Sequence, residues 1–404
     1  MTDKLIIPNF ALTALSVLGS NGYKAYLVGG CVRDVLMGRI PGDYDITTSA
    51  APDETLACFK DFKTVETGIK HGTVTVIIEG NPLEITTFRI DGDYSDNRRP
   101  DSVSFSSSVA DDLARRDFTV NAIAYNPDEG YVDLYGGKED IKNQIIRCVG
   151  EADKRFNEDS LRILRAMRFA ASLDFKIEEK TLSAAHKNAC LLENISVERI
   201  YTEFIKTVCA KSPGKILYEF KKEIEVFIPE FTNLEDEMLR SVFYSVDRAE
   251  ADRFVRLAVL FACFDSETVR KIFERLKTDK LTEKTVCQIL NCRKFTGSDR
   301  ITARWILNAL SYENALRFCE AQSALDPKNT EQILELKFNI EKAYLSNECV
   351  NVGQLAVGGN DILNNNIASG VKIGKILNEL LELVITGQAE NKFDSLLEAA
   401  KKLK

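Results

Sequence analysis

The sequence lacks any apolar run long enough to cross a bilayer: the longest, LAVLFACF at 257–264, falls far short of the roughly 20 residues a spanning helix needs. Its first residues, MTDKLIIPNF, lack the basic stretch and long apolar core of a secretory signal, so a cytoplasmic location with no membrane association is expected. The ten cysteines include no CxxC pair, and the closest two, Cys287 and Cys292, have a spacing that fits neither a zinc knuckle nor a redox motif. Reduced, mostly buried thiols are the reading that follows. A basic excess is missing as well. The formal charge of −8 excludes a protein that coats nucleic acid over its whole surface, while leaving room for a local basic track. One such track runs from Lys154 to Arg168, where Lys154, Arg155, Arg162, Arg165 and Arg168 outnumber Glu158 and Asp159.

Glycine and proline nearly vanish after residue 150. Between 151 and 350 there are only Gly214, Gly297, Pro213, Pro229 and Pro327, and the apolar spacing there is helical. The first third is different: KAYLVGG, YDITTS and GTVTVIIEGNPLEITTFR are strand-like, with Glu79-Gly80-Asn81-Pro82 reading as a hairpin turn. A small mixed α/β domain followed by a helical body is therefore expected, with punctuation at Ser212-Pro213-Gly214 and Asp326-Pro327.

Four segments carry chemistry. In GDYDITTS, Asp43 and Asp45 stand two apart in a strand-like setting, so they share a face and repel unless a cation lies between them. A divalent ion held by one or two carboxylates and substrate phosphates fits this pattern; a solvated turn fits it too. In LVGGCVRDVLMGR, an apolar strand passes through Gly29 and Gly30 into a short helix that Gly38 can end. The glycines let a phosphate approach the backbone, and Arg33 offers it a fixed charge; a tight strand-to-helix turn needs the same residues. In RRDFTVNA, Arg115 and Arg116 read either as a helix cap or, for Arg116, as a contact to nucleotide phosphate or ribose.

The fourth segment is EDSLRILRAMRFA, Glu158 to Ala170. At about 100° per residue, Arg162, Arg165 and Arg168 fall within about 120° of one another with Asp159 at the edge, opposite Ile163, Leu164, Ala166 and Met167. A solvated, salt-bridged helix has this pattern. So does a base-reading pocket, because cytosine and adenine both present an amino donor beside a ring-nitrogen acceptor, matching carboxylate beside guanidinium. Guanine and uracil reverse that order and would leave buried groups unpaired. One Asp159/Arg162 pair thus suffices to choose C and A without a template.

Taken with TGIKHGTVTV, EITTFR, RFNEDSLRILRAMRFA and ISVERIYTEF, these motifs resemble, in order and approximate spacing, the bacterial class II tRNA nucleotidyltransferases of the polymerase β-like superfamily. The resemblance is detailed from about residue 24 to 205 and looser to the end, where GGNDIL and GVKIGKILNELLELVITG are similar to the family's tRNA-contacting region. It implies an α+β chain: a small mixed-sheet nucleotidyltransferase head (1–142) followed by an all-helical neck (143–212), body (213–326) and tail (327–404). It further implies Asp43 and Asp45 as catalytic ligands of Mg²⁺, and Gly30, Arg33 and Arg116 as nucleotide contacts. Asp159 and Arg162 would be the protein template, completed by Arg165 and Arg168, with Glu84 a third acidic group near the metals. The implied reaction is attack of a tRNA 3′-hydroxyl on the α-phosphate of CTP or ATP, releasing pyrophosphate.

Some relatives carry a phosphohydrolase module with paired His and Asp residues. Only His71 and His186 occur here, neither followed by Asp, so that module is expected to be absent, and His71 is read as ordering backbone near a turn. The alternatives are a poly(A) polymerase, a CC-only or A-only enzyme, and a catalytically silent RNA-binding protein. VETGIKHGTVTV is similar to the CCA-adding version rather than to poly(A) polymerases, and DGDYSDNRRPDSVSF to the loop that CC-only enzymes have shortened. An A-only enzyme stays open, and no metal carboxylate or templating residue is missing, as a silent protein would require.

Overall fold

The structure is a computed structural model describing residues 7–66, 68–69, 72–92 and 103–403. Among the described residues nine strands form in the first third, where apolar and β-branched residues alternate or cluster: β1 (Ala25–Val28), β2 (Asp45–Thr48), β3 (Lys63–Val65), β4 (Thr73–Ile78), β5 (Asn81–Thr87), β6 (Arg89–Asp91), β7 (Val103–Phe105), β8 (Ala124–Asn126) and β9 (Gly130–Val132). Seven join one mixed sheet in the order β3-β4-β5-β2-β1-β8-β9, while β6 and β7 pair as a separate ribbon. Within that sheet β2 and β5 run parallel and the other neighbours are antiparallel; a further short parallel pair, Ile145–Ile146 with Lys176–Ile177, interrupts the segment 143–212 that was expected to be all-helical.

The β4–β5 hairpin is tighter than the sequence suggests. Its loop is Glu79 and Gly80 alone, both at positive φ (51° and 79°), the two-residue geometry that matches strand twist. Asn81 and Pro82 already belong to β5, opposite Ile78 and Ile77. Pro82 is tolerated because β2 begins its pairing with β5 only at Glu84, so no ladder bond is lost on that side.

Each face of the sheet has its own cover. Helix α1 (Asn9–Ser20) buries Ala11, Ala14, Leu15 and Leu18 in one cluster with Leu27, Ile46, Val74, Val76 and Ile85. That cluster also takes in Cys31 and Val32 of α2 (Gly30–Leu36) and, at its edge, Leu56 of α3 (Pro52–Cys58). Tyr26, Val28, Phe88 and Ala124 point the other way, against Leu113 of α4 (Val109–Ala114). Since side chains alternate along a strand, Ile46 faces α1 while Asp45 and Thr47 share the face of Tyr26.

Beyond α5 (Gly137–Asn143) come α6 (Ala152–Glu158), α7 (Leu161–Leu173), α8 (Glu179–Lys187) and α9 (Val197–Val208). The segment expected as one helix from Glu158 is broken: Asp159 is extended (φ −139°, ψ 101°), ends α6 and lies outside α7. By compactness the chain divides into two units, one of residues up to Ser212 with 219–233, the other of 213–218 with 234–404. The second is helical, and aspartates at 252, 265, 279 and 299 accept backbone N–H groups at the starts of four of its helices, as the orphan donors there require. Its last helices bury Ile362, Leu380, Ile385, Leu396 and Ala400 together. No helix among the described residues is long and apolar enough to cross a membrane.

Candidate active site

Asp45 opens β2 and stands in register with Glu84 of β5. Asp43 lies two residues earlier, exposed and outside the strand, because β1 pairs with β2 only as far as Ile46 and β5 only as far as Asp45. Between them Tyr44 is anchored edge-on to Phe10, ring centroids 5.6 Å apart. Burial, then the like charges of Asp43 and Glu84, push the Asp45 carboxyl up to about 6, against the pull of Arg116. Among the described residues no hydrogen bond or ion pair reaches the Asp43 or Asp45 carboxylates, and no group of three or more His, Cys, Asp or Glu side chains is set to hold an ion. Two carboxylates whose charge Arg116 offsets only in part suit a divalent cation whose remaining ligands are waters and phosphates, the kind of ion nucleotidyl transfer generally uses. His71 and residues 93–102 of the expected loop lie outside the described residues.

The glycine turn follows β1 directly. Gly29 sits at φ +77°, which disfavours any side chain. A Cβ there would also lie 2.9 Å from Arg116 Nη1, whereas one on Gly30 would meet nothing closer than Arg33 Nη2 at 3.6 Å. The two glycines therefore separate by experiment. Gly29→Ala is expected to cost about 1–3 kcal/mol of stability from backbone strain; Gly30→Ala should leave thermal unfolding unchanged while raising KM for CTP about tenfold, and an unchanged KM would remove Gly30 from the nucleotide site.

Arg33, 9% exposed, donates through Nη1 to Asn121 Oδ1 (2.7 Å) and through Nε to Asp34 Oδ1 (2.9 Å). Arg115 caps the C-terminal end of α4 and Arg116 follows it, where cations suit the helix dipole, and neither side chain is solvated. Both donate to the fully buried Asp112, Arg115 at 2.6 and 2.9 Å and Arg116 at 3.0 Å. Burial raises the Asp112 pKa, but the two guanidiniums outweigh it and the net shift is downward. Arg116 Nε is buried without a hydrogen-bond partner among the described residues.

The arginine stripe of α7 packs inward. Arg162, 7% exposed, donates to Glu158 Oε2 (2.8 Å) and to the carbonyls of Arg155 (3.3 Å) and Arg115 (3.0 Å). Arg165 donates twice to Asp117 Oδ2, at 2.6 and 2.8 Å. Arg168 lies 2.9 Å from Glu203 Oε2; both atoms are buried without an aligned hydrogen bond, so the contact is an ion pair only. Asp159 is not paired with Arg162. Its Oδ1 accepts the Leu161 N–H at 3.2 Å and its Oδ2 lies 3.4 Å from Arg199 Nη2. Burial raises the Asp159 pKa despite the pull of Arg199 and Arg162.

Several supporting residues carry no assignment from sequence alone: Asp112, Asp117, Asn121, Arg155, Arg199 and Glu203. Asp117 and Asn121 stand in RRDFTVNA, Arg199 and Glu203 in ISVERIYTEF and Arg155 in RFNEDSLRILRAMRFA, yet partners as far apart as 48 or 88 positions cannot be read from spacing. Asp117 is the clearest case. Burial alone would raise its carboxyl, but Arg165 and then Asn121 hold it down at about 2. A depressed carboxyl contributes stability that is present above the usual carboxylate range and lost as pH falls toward 2. The difference in unfolding free energy between wild type and Asp117→Asn should therefore shrink by about 2 kcal/mol between pH 6 and pH 2; a pH-independent difference would contradict this.

Comparison with known proteins places this geometry in a family. Residues 25–147 match the Poly A polymerase head domain, 174–233 the "Probable RNA and SrmB-binding site of polymerase A", and 252–400 the tRNA nucleotidyltransferase domain 2. The CCA-adding enzyme of Anoxybacillus flavithermus is 37% identical over 399 residues, 96% of each chain. That of Ligilactobacillus salivarius is 35% identical over 399 residues, 97% of this chain and 96% of its own. The crystal structure of the Bacillus stearothermophilus CCA-adding enzyme in complex with CTP matches with a TM-score of 0.82 and 30% identity over 98% of both chains. The Thermotoga maritima CCA-adding enzyme complexed with tRNA shares the fold, with a TM-score of 0.69 at 22% identity over 99% of this chain and 97% of its own. With relatives this similar over nearly its whole length, the chain belongs to the family of CCA-adding enzymes.

Proposed function

We propose that this protein adds the 3′-terminal CCA to tRNA without a nucleic-acid template, consuming CTP and ATP and releasing pyrophosphate. The observation that carries the reading is one juxtaposition within the first compact unit. Asp45, repelled by Asp43 and Glu84, stands near Arg116, and Arg162, at the head of α7, donates to the carbonyl of the adjacent Arg115.

In this reading Asp43 and Asp45 hold magnesium, which when bound supplies the positive charge that steadies the attacking and leaving oxygens of an in-line displacement. The remaining work belongs to the chain. Arg33 and Arg116 offer fixed donors to the triphosphate, and Gly30 leaves its approach open. Asp159 accepts from the exocyclic amino group that cytosine and adenine share, and Arg162 donates to the adjacent ring nitrogen. Glu158 and two backbone carbonyls hold Arg162 from several sides, so its orientation is set before substrate arrives. Arg165 and Arg168 complete the wall. Glu84, across the ladder from Asp45, adds negative potential rather than a third ligand.

We assign the head to 1–142, the neck to 143–212, the body to 213–326 and the tail to 327–404, and we place the reaction in the cytoplasm. Ten unpaired cysteines support a reducing compartment. The test is incubation with Mg²⁺ and each nucleoside triphosphate, singly and with CTP plus ATP, on a tRNA lacking its 3′ end and on unrelated RNA. Extension of the tRNA alone by a short C- and A-containing tail is expected. Long A tails on either RNA would instead indicate a poly(A) polymerase, addition of C or A alone a partial enzyme, and no incorporation a silent binding protein.

A further inference from the structure

Two of the arginines assigned above to the nucleotide, Arg33 and Arg116, meet at one residue that nothing so far has given a role in the reaction, and a third, Arg165, reaches it through Asp117. Asn121 lies on a short 3₁₀ turn, Thr119–Asn121, and is 6% exposed. Its Oδ1 accepts from Arg33 Nη1 at 2.7 Å. Its Nδ2 donates to Asp117 Oδ1 at 3.2 Å, while the other oxygen of Asp117 takes both bonds from Arg165. Its backbone carbonyl accepts from Arg116 Nη1 at 3.5 Å. The amide orientation follows from the partners, since a guanidinium only donates and a carboxylate only accepts. A ring borders the same junction: Phe169 packs edge-on to Phe118 at 5.8 Å, with the Arg33 and Arg165 guanidiniums 5.4 and 5.3 Å from its centroid.

We infer that Asn121 is a positioning residue that couples the phosphate-side arginines, Arg33 and Arg116, to the base-side Arg165, so that the two ends of the nucleotide are bound as one unit. The inference rests on the assignment of these arginines to the nucleotide. Only an amide serves here. A carboxylate would oppose Asp117, and an apolar side chain would leave a buried guanidinium donor and a buried carboxylate lone pair unpaired. The chain of alternating partners, Arg33 to Asn121 to Asp117 to Arg165, is continuous, and its first three members are buried, so a shift in one guanidinium changes the hydrogen-bond geometry available to the other.

The test is a double-mutant cycle, Arg33→Ala against Arg165→Ala, read as kcat/KM for CTP on tRNA lacking its 3′ end, in wild type and in Asn121→Ser. Asn121→Leu serves as a second background, and thermal unfolding of each protein establishes folding. In wild type the double mutant is expected to lose at least fivefold less than the product of the single losses. In both Asn121 backgrounds the losses should multiply. Asn121→Ser itself should raise KM for CTP and ATP about tenfold and leave KM for tRNA unchanged, which a general loss of structure would not do. Equal non-additivity in all backgrounds, or additivity in wild type, overturns the coupling while leaving the nucleotide site standing. Single variants of Arg33 and Arg165 that retain full kcat/KM overturn the site assignment and the coupling with it.

Discussion

Asp45→Asn is expected to abolish nucleotidyl transfer, by about 10³-fold or more, and at the same time to make the metal-free protein more stable. The loss follows from the role assigned to the carboxylate. A metal ion contributes several kcal/mol of transition-state charge stabilisation, and about 4 kcal/mol corresponds to about 10³ in rate. The gain follows from what surrounds the side chain. Asp45 is largely buried, stands across the ladder from Glu84 and is repelled by both Glu84 and Asp43, with Arg116 as an opposing charge. Removing one of three like charges from that site should raise the unfolding free energy by about 2 kcal/mol at pH 7. The order should reverse with Mg²⁺, which stabilises the wild type by binding the folded state and has little to hold in the variant. Calorimetry with and without Mg²⁺ checks both halves; a variant less stable than wild type in the absence of metal, or one that keeps transferring nucleotide, would sink the assignment.

Replacing Arg162 is expected to have the second largest effect, and on two observables. In the proposed reading Arg162→Ala removes the ring-nitrogen donor, and the loss of charged hydrogen bonds worth about 1.5–3 kcal/mol each should lower kcat/KM for both CTP and ATP by about 10²–10³-fold. It also strips Glu158 of one of its two arginines, leaving Arg155 at 2.7 Å, and frees the Arg115 carbonyl. Breaking a buried charge pair from one side costs about 3–5 kcal/mol, so the urea midpoint should fall. Asp159→Asn isolates the selectivity. Its amide can donate to a carbonyl where the carboxylate cannot, so discrimination against UTP should drop by about 10²-fold with little change in stability, since Asp159 makes only a 3.4 Å contact to Arg199 and one backbone bond. Misincorporation assays with UTP and GTP decide the point: unchanged selectivity in Asp159→Asn would mean that the base is read elsewhere.

Much of the site was legible before any fold was known, and for a physical reason. Metal binding needs carboxylates at short range, phosphate approach needs glycine at a strand end, and base reading needs acid and guanidinium within one turn. These are local requirements that leave local patterns. Details dependent on distant partners were not legible. Asp43 and Asp45 share no strand, because the neighbours that would extend β2 stop at Asp45 and Ile46. Arg162, Arg165 and Arg168 do line one stripe, but the amphipathic pattern that suggested a solvated face instead describes a face packed on Asp117, Glu158 and Glu203.

The sequence by itself determined the mixed strand-rich first third, the predominantly helical remainder and the candidates for the site residues, because period, turn chemistry and motif spacing act over a few residues. Only the tertiary structure decided which carboxylate each arginine meets. Arg165 finds Asp117 and Arg168 finds Glu203 across gaps of 48 and 35 positions, and Arg33 reaches Asn121 across 88. Such pairs form because burying a guanidinium is tolerable only where a counter-charge or acceptor is already in place, and which one lies there is set by how the sheet and helices pack.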